Sequence, residues 1–174
     1  MLIDELVEEG PEIILTVARH RYGCRIIEGL IIQCAPEQMQ PVVDMLFPHA
    51  YDLCMHMYGN FVVQRLFERG TESVRQGVFR LLQVHMSSLG TNFYGSSLIG
   101  TCMKHADADE KLAIARALIS VNGLLAALVR FKHGKAAADD ILGLLSGEEL
   151  KEAHHQLREV TPLKAEKSKN AAAR

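Results

Sequence analysis

The chain has 174 residues, of which 48% are hydrophobic, and it carries a formal net charge of −2. This composition is typical of a globular protein, and the near-neutral charge argues against non-specific electrostatic binding of nucleic acid. No apolar run is long and clean enough to span a bilayer, and the N-terminus lacks the basic start of a secretory signal. We therefore expect a cytoplasmic protein without membrane contact.

In chain order, the first predicted element is a helix over residues 2–9, closed by Gly10 and Pro11. We interpret residues 1–9 as the last helix of a truncated preceding repeat, and we expect this chain to be either the C-terminal part of a longer array or a truncated form of one. Repeat units are then predicted at about 10–49, 50–85, 86–120 and 121–160, the last of them degenerate or capping. Residues 161–174 are predicted to be a disordered basic tail.

A short phrase recurs at near-constant spacing along these units. It reads HRYGCRIIE around Gly23, HMYGNFVVQ around Gly59 and NFYGSSLIG around Gly95, with a decayed copy around Gly134. The four glycines are separated by 36, 36 and 39 residues. A period in this range indicates stacked helical units rather than one closed globule.

Each unit is predicted to contain three helices. After each glycine, apolar residues fill the third, fourth, seventh and eighth positions, which make one helical stripe that we expect to point inward. Short helices are predicted before the phrases, at 12–18, 51–55, 87–91 and 124–129, and more variable ones after them, at 38–47, 73–84, 109–120 and 148–159. Thr71 and Asp107 are candidate N-caps, and Glu110 completes a capping box with Asp107.

The motifs offer no support for catalysis or metal binding. The four cysteines lack C-x-x-C spacing, and the eight histidines form no H-x-x-x-H or H-E-x-x-H pair. We find no glycine-rich phosphate loop, no paired-carboxylate site and no Cys–His nucleophile arrangement. We therefore expect no enzymatic activity, no catalytic residues, no metal and no cofactor.

The repeated phrase resembles the Pumilio (PUF) RNA-binding repeat over roughly residues 2–145, strongly in the first two full units, moderately in the third and weakly in the fourth. The resemblance implies an all-α, right-handed α-solenoid of three-helix Pumilio-type repeats, each reading one base of single-stranded RNA. It also implies that the reading residues are the first, second and fifth after the glycine, on a concave surface. The first and fifth positions are i and i+4 on a helix, about 5–6 Å apart at Cβ, which suits one base edge.

The second unit places Asn60, Phe61 and Gln64 at these positions. Two amides supply the donors and acceptors that suit the mixed edge of uracil, and Phe61 offers a stacking face. In the resembled family this trio reads uracil.

The first unit places Cys24, Arg25 and Glu28 at the same positions. A carboxylate accepts from two adjacent N–H donors, which matches the Watson–Crick edge of guanine, and a small residue paired with Glu reads guanine in the family. The guanidinium plane of Arg25 can stack on a base.

The last two units depart from this pattern. The third has the small residues Ser96 and Ser97, and Gly100 stands where Gln or Glu is expected, so we expect weak or no selectivity there. The fourth unit, which is outside the common code and is either a phosphate contact or a cap, has Lys135, Ala136 and Asp139.

The predicted function is base-selective binding of single-stranded RNA, with mRNA 3′ untranslated regions as partners and post-transcriptional regulation as the role. Effector proteins would bind the convex face, and the protein would be a monomer. Two alternatives stay open. One is a helical-repeat scaffold for protein interactions, in which Glu28 and Gln64 are ordinary solvated residues. The other is a relative in ribosome biogenesis that binds structured RNA with little base selectivity.

Overall fold

The computed structural model describes residues 2–158, and all of its regular elements are helical. The helix that precedes the first full unit is α1, Leu2–Glu8. The tail predicted at 161–174 lies outside the described residues.

The described chain forms four successive groups of three helices after α1. The first comprises α2 Pro11–Ala18, α3 Gly23–Gln33 and α4 Pro36–Leu46, and the second α5 Ala50–Cys54, α6 Gly59–Arg69 and α7 Glu72–Val84. The third comprises α8 Met86–Thr91, α9 Gly95–His105 and α10 Ala108–Ser120, and the fourth α11 Leu124–Leu128, α12 Lys132–Leu144 and α13 Gly147–Arg158. A 3-10 turn at Phe47–His49 joins the first two groups. The observed ends of the helices before and after each phrase lie within two residues of the predicted ends.

Equivalent helices of successive groups pack side by side. The middle helices α3, α6, α9 and α12 form one continuous row, while α8 packs on α11 and α10 packs on α13. Helix α1 packs on α4 in the same way that α10 packs on α13. Each group therefore contacts its neighbours through like surfaces, and the result is the predicted all-α solenoid.

The apolar stripe of the middle helices forms most of the core. In α6 all four stripe residues are fully buried, and in α9 the four equivalents are buried as well. The expectation of an inward-pointing stripe is wrong at Ile26, which is 52% exposed, whereas the equivalent Val62 is fully buried. Helix α3 lies on one side of α6 and α9 on the other, but α3 is the first helix of this row in the described chain.

The repeated glycines are explained by a close approach between the first and middle helices. A Cβ at Gly23 would lie 2.3 Å from the carbonyl oxygen of Val17, and one at Gly95 would lie 2.7 Å from that of Leu89. In both units the obstructing carbonyl belongs to the residue six positions earlier. Only glycine lets the middle helix start this close to the preceding backbone.

In the first three units the first residue of the phrase caps the middle helix, a role that the sequence analysis missed. His56 Nδ1 accepts from the backbone N–H groups of Tyr58 and Gly59 at 3.1 and 3.2 Å, and His20 does the same in the first unit. In the third unit Asn92 Oδ1 takes the place of the imidazole, at 2.8 and 2.9 Å. These acceptors satisfy amide groups that a helix start leaves unpaired.

The fourth unit differs at this point. Phe131 occupies the capping position but has no side-chain acceptor, and α12 begins at Lys132, two residues before Gly134. The middle helix of the fourth unit therefore does not begin at its glycine, as the other three do. The predicted N-caps are confirmed, since Thr71 accepts from the amide of Val74 and Asp107 forms a full capping box with Glu110.

Candidate nucleic-acid interface

The predicted reading residues lie in the first two turns of α3, α6 and α9, which stand next to one another in the middle row. Three side-chain contacts join neighbouring units at this surface, and each includes at least one predicted reading residue. The guanidinium carbon of Arg25 lies 4.6 Å from the ring centroid of Phe61, and Arg65 forms an ion pair with Glu28 at 3.6 Å. The Thr101 hydroxyl donates to Gln64 at 2.7 Å. The side chains of successive units therefore meet along one surface, which we call the reading row: Cys24, Arg25, Glu28, Asn60, Phe61, Gln64, Ser96 and Ser97.

In the first unit the carboxylate of Glu28 is enclosed by two guanidinium groups. Arg25 Nη1 donates to Oε1 and Oε2 of Glu28 at 3.0 and 3.3 Å, and Arg65 Nη2 approaches Oε2. Glu28 is only 6% exposed, so it is not an ordinary solvated helix residue. Its charge is balanced by the two arginines, which is the usual condition for a buried carboxylate.

Cys24 is fully buried beneath this cluster. Its thiol donates to the carbonyl oxygen of Arg21 at 3.5 Å, and burial raises its pKa above the ordinary value for a cysteine. The thiol is therefore neutral.

In the second unit a chain of amide contacts runs from the backbone to the next unit. Asn60 is 2% exposed, and its Nδ2 donates to the carbonyl oxygens of His56 and Met57 at 2.7 and 3.1 Å. Its Oδ1 accepts from Nε2 of Gln64 at 2.8 Å, and Oε1 of Gln64 accepts from Thr101. Phe61 is half-buried and offers its ring to Arg25.

The third and fourth units present little base-reading chemistry. Ser96 is fully buried and donates to the carbonyl oxygen of Phe93 at 2.7 Å, while Ser97 is half-buried. Gly100 supplies no side chain at the fifth position. In the fourth unit the equivalent residues are all exposed: Lys135, Ala136 and Asp139.

Sequence reasoning did not identify Arg65 and Thr101 as part of this surface. Both stand at the sixth position after their glycines, and each contacts the fifth-position residue of the preceding unit. The signal was present in the repeat register, because the two contacts join residues with the same separation of 37. Neither contact follows from the helical period of a single unit.

Positively and negatively charged side chains alternate along one line that includes two residues of the reading row and continues beside it. After Arg25, Glu28 and Arg65 comes Glu68, which pairs with Arg65 and lies 3.7 Å from Nε2 of His105. Such a ladder spreads positive and negative charge over three units rather than making one basic groove. Any affinity for a polyanion must then depend on specific contacts more than on the overall field.

Residues 2–158 contain neither a membrane-spanning helix nor a cluster of metal ligands. No helix in this part is long and apolar enough to cross a membrane. In the same range, no group of three or more His, Cys, Asp or Glu side chains is arranged to hold a metal ion.

Comparison with known proteins agrees with the resemblance seen in the sequence. The profile described as "Pumilio-family RNA binding repeat" matches residues 14–47 and 49–82, which are the first two full units. The chain is 27% identical over 106 residues to the Pumilio domain-containing protein C6G9.14 of Schizosaccharomyces pombe, and 24% identical over 99 residues to Pumilio homolog 1 of Xenopus laevis. These alignments cover 61% and 57% of this chain but only 15% and 8% of the relatives.

Solved structures extend the likeness beyond the first two units. The crystal structure of PUF-8 in complex with PBE-RNA superposes with a TM-score of 0.75 at 20% identity, and covers 91% of this chain and 46% of PUF-8. The Puf3 RNA-binding domain bound to a Cox17 RNA 3′ UTR site gives a TM-score of 0.71 at 16% identity, over 84% of this chain and 41% of Puf3. The chain thus has the fold of these domains over about half of their length.

Proposed function

We propose that this chain, which carries repeats of the Pumilio family, binds single-stranded RNA through the reading row, with one base to each unit. The observation that carries the proposal is the pairing of two hydrogen-bonding edges with two stacking groups. Glu28 and Gln64 stand at the same position in neighbouring helices, and the guanidinium of Arg25 lies over the ring of Phe61.

The stacked pair would have to open to admit a base. A flat base in van der Waals contact with a plane on each side needs about 7 Å between those planes, against 4.6 Å from the Arg25 guanidinium carbon to the Phe61 ring centroid. The Arg25 side chain is 60% exposed and can swing outward, whereas Phe61 is held in the row. Base insertion would then exchange one cation–π contact for stacking on both faces of the base.

The same movement would free the edge of Glu28. Arg25 covers both carboxylate oxygens in the absence of RNA, so its departure would expose two acceptors to a base. Guanine carries two adjacent N–H donors that match them. Arg25 would thus stack on a base in the complex. Before RNA binds, it would occupy the hydrogen-bonding site on Glu28 that guanine takes.

The predicted core sequence is uracil followed by guanine. Asn60 and Gln64 would read uracil, and Cys24 and Glu28 would read guanine, as the family resemblance implies. In that family the RNA runs antiparallel to the repeats, so the second unit reads the base just five-prime of the one read by the first.

The net charge of −2 limits how this binding can work. Neutralising many phosphates would make the affinity fall steeply with salt, with a slope of about −0.7 for each contact to a single strand. With alternating charges along the row, we expect few phosphate contacts and a shallow salt dependence. Base stacking and base edges would supply most of the affinity.

The broader role follows from the same proposal. Binding to the 3′ untranslated regions of cytoplasmic mRNAs would make this a post-transcriptional regulator, acting as a monomer and recruiting effector proteins through its convex face. Two similar solved structures, PUF-8 and Puf3, hold RNA, the latter a 3′ UTR site. The protein itself would do no chemistry.

Selection from a randomised single-stranded RNA pool tests the proposal directly. Bound sequences should be enriched in a U-G step, and the affinity of a selected RNA should exceed that of the same sequence as a duplex. A pool with no U-G enrichment, or tighter binding of duplex RNA, would contradict the proposal and favour the scaffold or the ribosome-biogenesis alternative respectively.

A further inference from the structure

We infer that the sixth residue after the glycine in the second and third units orients the base-reading residue of the preceding unit, and so helps to set which base that preceding unit accepts. Thr101 performs this role for Gln64, and Arg65 performs it for Glu28. This inference rests on the proposed function, because it concerns how the same surface discriminates between bases.

The first step concerns the amide of Asn60. Its nitrogen lies 2.7 and 3.1 Å from the carbonyl oxygens of His56 and Met57. An amide oxygen at that place would face two other oxygens without a proton between them, so the nitrogen must occupy it. Both N–H groups of Asn60 are therefore used on the backbone, and its oxygen must face Gln64.

The second step fixes Gln64. Because Asn60 presents only an acceptor, the atom of Gln64 that lies 2.8 Å away must be the nitrogen. The oxygen of Gln64 then faces Thr101, whose hydroxyl must donate across the 2.7 Å between them. Thr101 is the end of a chain of hydrogen bonds that begins at the backbone just before α6 and finishes on α9.

The third step concerns selectivity. A carboxamide has a donor and an acceptor on the same edge and can pair with every base if it is free to turn over. Held in one orientation, it offers a donor on the Asn60 side and an acceptor on the Thr101 side. A base stacked at a fixed place then meets this donor and this acceptor in one fixed order. Asn60 holds the nitrogen of this amide and Thr101 holds its oxygen, so the loss of the Thr101 hydroxyl would leave Gln64 anchored at one end only and less selective.

The second pair shows the same arrangement with different chemistry. Arg65 of the second unit approaches the Glu28 carboxylate of the first, and a second carboxylate, Glu68, holds the guanidinium from the other side. If Arg25 leaves Glu28 to stack on a base, Arg65 remains as the cation beside the buried carboxylate. It would continue to balance the charge of Glu28, whose two oxygens would then face the two N–H donors of guanine.

The supporting residue matches the reading residue in both pairs. A hydroxyl donor faces the amide oxygen and a guanidinium faces the carboxylate. Both supporting side chains are half-buried beside the row, and each comes from the neighbouring unit. The base that one unit accepts would therefore depend in part on a side chain of the next unit.

Variants of Thr101 test the inference. We would measure the affinities of the full chain for four RNAs that differ only at the base assigned to Gln64, by fluorescence anisotropy at constant salt. Thr101→Val keeps the shape but removes the hydroxyl, and should lower the preference for uracil over the best competitor by about fivefold or more. Thr101→Ser restores the donor and should restore the preference. Thr91→Val is the matched control, since the exposed Thr91 hydroxyl donates only within its own helix.

The outcomes separate this inference from the proposed function. If the unmodified chain binds no single-stranded RNA, the proposed function fails. If it prefers uracil and Thr101→Val retains that preference, or weakens all four RNAs equally, the orienting role is wrong. Should Thr101→Val not fold, Arg65→Met tests the other pair. A fall in the preference for guanine over adenine at the Glu28 position supports the inference, and an unchanged ratio overturns it.

Discussion

The guanidinium of Arg25 lies over the ring of Phe61, with 4.6 Å between the guanidinium carbon and the ring centroid. The two residues belong to neighbouring units, and each is the second residue after the glycine of its unit. Without RNA the reading row is thus paired with itself, through stacking here and through hydrogen bonds at Glu28 and Gln64. RNA binding on this surface would be an exchange of partners rather than the filling of an open groove.

Removal of the Phe61 ring should weaken binding without changing specificity. Phe61→Ala is expected to cost about 1–3 kcal/mol of binding free energy whatever the base, because stacking on an aromatic face is tolerant of sequence. Phe61→Tyr keeps the ring and should bind nearly as well. Anisotropy titrations with RNAs of different sequence measure both, and equal affinities for Phe61→Ala and the unmodified chain would remove Phe61 from the interface.

Substitution of Glu28 should change specificity. Glu28→Gln replaces two acceptors with one acceptor and one donor, so the guanine-containing RNA should bind about 1–3 kcal/mol more weakly, the size of one good bidentate base contact. The altered pair with Cys24 should instead favour adenine at that position, as such units do in the resembled family. Glu37→Gln, on the exposed first turn of α4, is the control and should change neither affinity.

Filter binding at one salt concentration gives the ratio of guanine to adenine affinity for each variant. If Glu28→Gln keeps its circular dichroism spectrum and the ratio stays unchanged, Glu28 does not read a base. The scaffold interpretation would then be the better one.

Two neighbouring isoleucines on α3 should differ sharply in their effect on stability. Ile27 is 1% exposed, and Ile27→Ala should lower the free energy of unfolding by about 2–5 kcal/mol, as buried large-to-small changes do. Ile26 is half-exposed, so Ile26→Ala should change it by only about 0.5 kcal/mol. Leu66→Ala in α6 should behave like Ile27→Ala. Urea unfolding followed by circular dichroism distinguishes these outcomes, and equal effects of the two isoleucines would mean that α3 is rotated.

The imidazole cap of α6 makes stability depend on pH. Burial and the charge of Arg19 lower the pKa of His56 below its ordinary value of 6.5. The unfolded chain therefore binds a proton more readily than the folded one, and folding is penalised as the pH falls through about 6.5 towards the lowered pKa. Above about pH 6.5, His56 is neutral in both the folded and the unfolded chain, and this penalty on folding is absent. Protonated Nδ1 would also lose its lone pair for the two amides it caps.

His56→Asn removes the titrating group and keeps an acceptor, as Asn92 does in the third unit. Melting temperatures between about pH 7.5 and 5.5 should therefore fall less in this variant than in the unmodified chain. An equal fall in both would show that another group governs the pH dependence.

The sequence alone determined the features that depend on local pattern. The glycine spacing predicted the number of units because it is a direct repeat in the sequence. The apolar stripe and the capping residues Thr71 and Asp107 predicted helices and helix starts, because these signals act within a few residues. The caps formed by His20, His56 and Asn92 are also local, but imidazole and amide acceptors at one position carry no single sequence signal.

Only the tertiary structure decided what happens between units. The exposure of Ile26, the stacking of Arg25 on Phe61 and the contact of Thr101 with Gln64 all depend on the sideways register of neighbouring helices. That register is set by packing between residues about 37 positions apart, which the period of one helix does not contain. The identities of Glu28 and Gln64 belong to their own units, whereas their contacts with Arg65 and Thr101 depend on the unit packed beside each.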